Sequence, residues 1–105
     1  MSRIMQFLGA MILILGGIQQ GYAKSKIEAA CEKGDEKACI LFFGKLCKEG
    51  DYSGCVALGR SYSLASSIPK DHHKAAVAFK GACQAGNLDG CRWLGVAYDR
   101  GRGVP

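Results

Sequence analysis

The strongest constraint on the fold of this chain is a nine-residue module that occurs three times and has a cysteine at each end. The copies share the form C-x2-G-[DN]-x2-[GA]-C and begin at Cys31, Cys47 and Cys83. Glycine at the fourth position suits the left-handed residue that ends a helix, and the Asp or Asn that follows can cap the next helix. Each module therefore predicts a tight turn between two helices.

A second regularity, with a period of 36 residues, runs through the later part of the chain. The recurring residues are Cys47, Gly50, Gly54, Cys55, Leu58, Gly59, Tyr62 and Pro69, which correspond to Cys83, Gly86, Gly90, Cys91, Leu94, Gly95, Tyr98 and Pro105. Such a period is typical of an α-helical repeat protein. Helical apolar spacing predicts five helices, near residues 25–33, 36–49, 53–65, 71–85 and 88–101. Gly59 and Gly95 lie beside the apolar stripes, where we expect close approach of a neighbouring helix.

The first 23 residues have the three parts of a secretory signal peptide. Arg3 lies in a short polar start, residues 7–18 form an apolar run interrupted by glycines, and Gly21 and Ala23 supply small residues before a cleavage site. The run is shorter than the roughly 20 residues of a membrane-spanning helix. We therefore expect a secreted or periplasmic protein that begins at Lys24 after cleavage and has no stable membrane span.

Six cysteines in a small exported chain predict a disulfide framework. Cys39 and Cys47 lie on one predicted helix, about 12 Å apart along its axis, which is beyond the roughly 7 Å Cα limit for a disulfide. The two cysteines of each module instead face each other across a turn. The predicted pairs are Cys31 with Cys39, Cys47 with Cys55 and Cys83 with Cys91. Zinc ligands usually occur as C-x2-4-C pairs, and no such pair occurs in this sequence. No metal or cofactor is therefore expected.

These motifs together resemble the Sel1-like repeat. The resemblance rests on G-C-x2-L-G-x2-Y at 54–62 and 90–98, and on P-K-D-x2-K-A-x3-F-x2-A-C-x2-G at 69–86. The paired cysteines are similar to those of the Helicobacter cysteine-rich proteins within that class. The resemblance implies an all-α, tetratricopeptide-like α/α solenoid over residues 47–105, with disulfides joining its helices and an incomplete last repeat. Residues 24–46 match only through the first module and are expected to form a degenerate helical cap.

The incomplete last repeat has a structural consequence of its own. The sequence reaches Pro105, the equivalent of Pro69, without the second helix of a complete unit. We therefore expect the apolar stripe through Leu94 and Tyr98 to be exposed.

The resemblance implies two functions of different kinds. Sel1-like arrays are generally adaptors that present a surface to proteins or peptides, which here include cell-wall peptides. The cysteine-rich subfamily is similar to proteins described as penicillin-binding and as slow β-lactamases, which would make this chain a hydrolase connected with antibiotic resistance. Residue chemistry favours the adaptor, whereas the subfamily resemblance favours the hydrolase.

Candidate catalytic residues are few. Ser67 and Lys70 match the S-x-x-K motif of serine β-lactamases, but Pro69 lies between them in a predicted loop, and the chain has no S-D-N or K-T-G motif. A chance match is therefore favoured. His72 and His73 are adjacent and point to different sides of a helix, so they cannot share a metal. The N-terminal carboxylates of Glu28, Glu32, Asp35 and Glu36 are interpreted as surface charge.

Charge and aromatic residues suggest which partners to consider. Without Arg3 the chain keeps 13 of its 14 basic residues against 9 acidic ones, an excess that favours acidic partners. A solvated surface is the favoured interpretation, because basic residues are spread along every predicted helix without interleaved aromatics. Nucleic acid is not expected as a partner of an exported chain. Tyr52 and Trp93 are candidates for a partner surface, since large aromatic residues anchor interfaces. Packing between repeats is the favoured explanation of both.

Overall fold

A computed structural model describes residues 24–104, so the predicted signal peptide and Pro105 lie outside the described residues. Within this range the protein is all-α, with five helices and no strand. The helices are α1 (Lys26–Glu32), α2 (Glu36–Lys48), α3 (Tyr52–Leu64), α4 (His72–Gln84) and α5 (Leu88–Asp99). All five predicted helices are present, with ends within two residues of the prediction. No helix between residues 24 and 104 is long and apolar enough to cross a membrane.

The three cysteine modules form the turns that the sequence predicts. Each fourth-position glycine has a positive φ, and each following Asp or Asn accepts a hydrogen bond from the backbone N–H three residues later. The glycines are Gly34, Gly50 and Gly86, and the caps are Asp35, Asp51 and Asn87. The left-handed glycine reverses the chain, and the cap satisfies the first free N–H groups of the next helix. Each module thus ends one helix and begins another within a few residues.

A disulfide closes each of these turns. The bonds join Cys31 to Cys39, Cys47 to Cys55 and Cys83 to Cys91, with Cα–Cα distances of 4.4, 4.5 and 4.4 Å. These are the pairs that the sequence predicts. In the second and third modules the residue before the second cysteine is a glycine, Gly54 or Gly90, and a Cβ on Gly90 would lie 2.6 Å from the Cβ of Ala82. The first module has Ala38 at this position, and it is buried.

The core lies where α3, α4 and α5 meet. Its buried cluster consists of Cys55, Val56, Ala75, Phe79 and Ala82, and Cys47, Tyr62, Trp93 and Leu94 pack against it. Each helix packs against the next helix of the chain, and α3 also touches α5. Most of the buried side chains are small, so the helices approach closely, and Phe79 is the largest side chain of the buried cluster. A core this small gains much of its stability from its covalent links.

The two glycines predicted to allow close approach behave differently. A Cβ on Gly59 would lie 2.5 Å from Cε1 of Phe79, which confirms the prediction for this position. A Cβ on Gly95 would meet nothing within 4 Å, so the prediction there is wrong. The reason is that no helix among residues 24–104 packs on that side of α5. Tyr98 is exposed there as predicted, whereas Leu94 is partly buried against the core.

Candidate binding groove

One face of α2, α3 and α4 carries two adjoining depressions that share Cys47, Leu58 and Tyr62. The depression between α2 and α3 has a volume of about 640 Å³, and the one between α3 and α4 has a volume of about 530 Å³. We call the joined surface the tyrosine groove. Its main walls are Leu41, Cys47, Tyr52, Leu58, Tyr62 and Val77. A surface that crosses three helices is long enough to contact a segment of polypeptide.

Helical spacing brings these side chains to one face. Cys55, Leu58 and Tyr62 follow the i, i+3, i+7 spacing of one helical stripe on α3. Leu41 on α2 and Val77 on α4 are 61% and 58% exposed, and Tyr52 at the start of α3 is 44% exposed. Contiguous exposed apolar side chains mark interaction surfaces in folded proteins. The structure therefore places Tyr52 on a surface that is suited to a partner.

The groove has a mainly cationic rim. Its lining residues include Lys45 and Lys48 on α2 and Lys74 on α4, against the single acid Glu49. The ammonium of Lys74 lies 5.6 Å from the centre of the Tyr62 ring, within cation–π range. An acidic group bound beside the apolar floor would meet complementary charge.

Two further cavities lie on another side of the helices, and most residues that line the first have a counterpart 36 positions later that lines the second. The Phe43 cavity, between α2 and α3, has a volume of about 350 Å³, and the Trp93 cavity, beside α4 and α5, has a volume of about 40 Å³. The equivalent lining residues, with the Phe43 cavity first, are Glu36 and His72, Cys39 and Ala75, Phe43 and Phe79, Ala57 and Trp93, Arg60 and Val96, Ser61 and Ala97, and Leu64 and Arg100.

Trp93, the second candidate for a partner surface, has a packing role. Its ring stacks on Phe79 with a centroid distance of 5.8 Å and an interplanar angle of 18°. The guanidinium carbons of Arg60 and Arg92 lie 5.2 and 5.9 Å from the ring centre. Stacking on the core and covering by guanidinium groups hold the indole in place.

Glu36 is a structural residue that sequence reasoning missed. Its carboxylate accepts hydrogen bonds from the backbone N–H of Ser66 at 2.8 Å, from the Ser66 hydroxyl at 2.7 Å and from the backbone N–H of Ser67 at 3.2 Å. The Ser66 hydroxyl, followed by the backbone N–H groups, lowers the pKa of Glu36. The interpretation as simple surface charge is therefore wrong for Glu36, because this carboxylate holds the loop after α3. No short-range signal connects residues that are thirty positions apart.

The S-x-x-K residues lie together in the loop between α3 and α4. Ser67 and Lys70 are both exposed, and neither is in a helix. Neither of them lines the tyrosine groove or the two cavities related by 36 residues. The arrangement therefore lacks the helical turn that brings serine and lysine together in serine β-lactamases.

The two histidines face apart, as adjacent helical positions require. His72 lines the Trp93 cavity, whereas His73 lines the tyrosine groove. Among residues 24–104, no three His, Cys, Asp or Glu side chains cluster in a way that could hold a metal ion.

Comparisons of the chain with models of known protein families, with curated protein sequences and with solved structures give no match. The described residues define an all-α protein with three disulfides and an apolar groove. Three disulfides in so small a unit fit an oxidising compartment.

Proposed function

We propose that this protein is an exported Sel1-like repeat module, joined by disulfides, that binds a segment of protein or a cell-wall peptide in the tyrosine groove. The observation that carries the proposal is the continuous apolar surface across α2, α3 and α4, with Leu41, Tyr52 and Val77 exposed on it. Large exposed aromatic and aliphatic side chains in one groove provide anchor positions for a partner.

The relation between the two cavities supports the repeat part of the proposal. Seven lining residues of the Phe43 cavity have their equivalents, 36 positions later, in the lining of the Trp93 cavity. The same sequence period therefore goes with equivalent positions around a cavity in two places. The α2–α3 and α4–α5 pairs are then successive units, which assigns α2 to the first unit and makes α1 alone the cap, in place of residues 24–46. Neighbouring units in such arrays bury a common core, as α3, α4 and α5 do here.

The charges around the groove favour a partner that combines apolar and acidic side chains. Lys45, Lys48 and Lys74 outnumber Glu49 at the rim, and Leu58 with Tyr62 forms the apolar floor. Apolar contacts supply most of the binding free energy, while charge complementarity favours correct partners over wrong ones and speeds association. Moderate sensitivity to salt is therefore expected, since exposed charges are screened.

Selection of peptides from a random library on the oxidised protein tests the groove. The proposal predicts enriched peptides with apolar anchors and acidic neighbours. Their affinity should fall at least tenfold in Leu41→Glu and in Val77→Glu. Both side chains are well exposed, so these changes should leave the fold intact. Leu88→Glu is the matched control, because Leu88 is 81% exposed and lies outside the groove. Equal binding by all three variants, or no enrichment over the reduced and unfolded protein, would contradict the proposal.

The subfamily resemblance supports a second proposal, slow hydrolysis of the β-lactam amide with Ser67 as nucleophile and Lys70 as base. Ser67 is exposed, and its backbone N–H is held by Glu36. Activation is the weak point, because a serine needs a base poised near the working pH. The lowered pKa of Glu36 makes that nearby carboxylate a poorer base.

A chromogenic cephalosporin separates the two functions. The binding proposal predicts no turnover above that of the reduced protein. Turnover that Ser67→Ala abolishes and Ser63→Ala preserves would favour the hydrolase. Ser63 is a suitable control because it lies in the last turn of α3, close to the loop in sequence but outside the S-x-x-K motif. Turnover that persists in Ser67→Ala would remove Ser67 from consideration.

A further inference from the structure

The Phe43 cavity and the Trp93 cavity have equivalent walls but very different volumes. Their shared aromatic wall is Phe43 in one and Phe79 in the other, on equivalent positions of α2 and α4. The most consequential difference is at one position of the facing helix, where Ala57 on α3 corresponds to Trp93 on α5. In the second cavity the chain supplies its own indole, and in the first it supplies only a methyl group.

The volumes agree with this difference. The Trp93 cavity is about 40 Å³, whereas the Phe43 cavity is about 350 Å³. A single water needs roughly 10–15 Å³ by a comparable measure, so the Phe43 cavity has room for a group far larger than a few waters. The stacking of Trp93 on Phe79 shows what fills the equivalent space in the next unit.

We infer that the Phe43 cavity receives the tryptophan side chain of a partner polypeptide. The bound indole would lie against Phe43 as Trp93 lies against Phe79. The Cys39 sulfur at the wall adds a favourable contact, because sulfur and aromatic rings attract. The guanidinium carbon of Arg60 lies 5.2 Å from the centre of the Trp93 ring. Arg60 also lines the Phe43 cavity, so its guanidinium can make a cation–π contact with the bound indole.

Polar groups in the Phe43 cavity suit an indole better than a phenyl ring. Ser61 stands where the Trp93 cavity has Ala97. Its hydroxyl donates to the carbonyl of Ala57 at 2.9 Å, which leaves the oxygen free to accept. The Glu36 carboxylate also lines the cavity, and it has acceptor capacity beyond the loop hydrogen bonds. A buried indole N–H needs such an acceptor.

This site is separate from the tyrosine groove. Ala57, Ser61 and Leu64 lie on one helical stripe of α3, whereas Leu58 and Tyr62 lie on another. The inference therefore does not depend on the groove. Leu64, 57% exposed at the edge of the cavity, would cover the side chains that flank a bound tryptophan.

The test uses N-acetyl-tryptophanamide as the probe and the oxidised protein as the receptor, followed by NMR. We expect saturable shifts of the Ala57, Ser61 and Leu64 amides, with the phenylalanine and leucine analogues binding more weakly. Ala57→Trp should weaken binding at least tenfold and raise the melting temperature, because the introduced indole occupies the cavity. Ala57→Leu fills less of the cavity and should weaken binding to a lesser degree. This variant tests the inference even if the Ala57→Trp protein does not fold.

Val77→Glu in the tyrosine groove is the control and should bind the probe normally. Unshifted resonances with the probe, unchanged affinity in both Ala57 variants, or equal affinity for the leucine analogue would each overturn the inference. Binding of free indole without binding of N-acetyl-tryptophanamide would also overturn it, because it would indicate a free aromatic ligand rather than a polypeptide.

Discussion

The ring of Phe79 on α4 occupies the space that a side chain on Gly59 of α3 would need. A Cβ at position 59 would lie 2.5 Å from Cε1 and 2.7 Å from Cδ1 of that ring. Phe79 is 2% exposed and belongs to the central cluster. The absence of one side chain thus allows the largest residue of the core to pack directly against a neighbouring helix backbone.

Gly59→Ala should destabilise the protein, whereas Gly95→Ala should stabilise it. Overpacking at position 59 displaces the Phe79 ring and costs about 1–3 kcal/mol. The equivalent Gly95 faces open space, so alanine there adds helix propensity of up to about 1 kcal/mol. Urea unfolding of both variants measures the two shifts. Shifts of the same sign would contradict the difference in surroundings between the crowded Gly59 and the open Gly95.

Phe79→Ala should cost more than Phe43→Ala, although the two residues occupy equivalent positions. Phe79 is nearly inaccessible, and its loss removes about 3–5 kcal/mol, which is typical of a buried phenylalanine. Phe43 is only partly buried and borders an open cavity, so its replacement should cost clearly less. Thermal unfolding followed by circular dichroism measures both. A larger loss for Phe43→Ala would move the centre of the core to α2.

Loss of the Cys47–Cys55 bond should destabilise the protein more than loss of the Cys31–Cys39 bond. Each bridge closes a loop of the same length, which is worth about 2.5 kcal/mol in the chain-entropy model. Cys55 is 3% exposed in the core cluster and Cys47 packs against it, whereas Cys31 and Cys39 are only partly buried. Paired cysteine-to-serine variants, compared by denaturant midpoint, measure the difference. Equal midpoints would mean that chain entropy alone accounts for both bonds.

Acidification should release the loop after α3. Because hydrogen bonds from Ser66 and Ser67 lower the pKa of Glu36, their stabilisation is fully present above its ordinary value of 4.5 and is lost as the pH falls through the lowered pKa. The amide resonances of Ser66 and Ser67 should therefore titrate below pH 4.5. Glu36→Gln should abolish this titration, and Asp99→Asn, an exposed change on α5, should preserve it. Titration of these amides at neutral pH would exclude Glu36 as the cause.

Much of the local architecture can be read from the cysteine module. The glycine that ends one helix, the Asp or Asn that begins the next and the cysteine pair all act within nine residues, so their spacing alone predicts the turns and the bonds. The 36-residue period predicted that Gly59 and Gly95 would have the same role. The prediction is confirmed only for Gly59. A close approach needs a neighbouring helix beside the glycine, and the sequence period does not show whether such a helix is present.

The candidate sites were less accessible to sequence reasoning. Tyr52 and Trp93 were both singled out as large aromatics, yet Tyr52 lies on the groove while Trp93 stacks on Phe79. Residue type does not decide between these roles, since an aromatic ring suits a core and an interface equally well. The Phe43 cavity depends on Ala57, whose importance appears only when its surroundings are compared with those of Trp93.

The amino-acid sequence by itself determined where the helices begin and end and which cysteines pair, because these features depend on backbone hydrogen bonds and chain reversal over a few residues. Only the tertiary structure decided which side chains share a surface, from the loop held by Glu36 to the groove beside Tyr62. Those contacts join residues far apart in the chain, and their free energy depends on how the helices pack rather than on any local pattern.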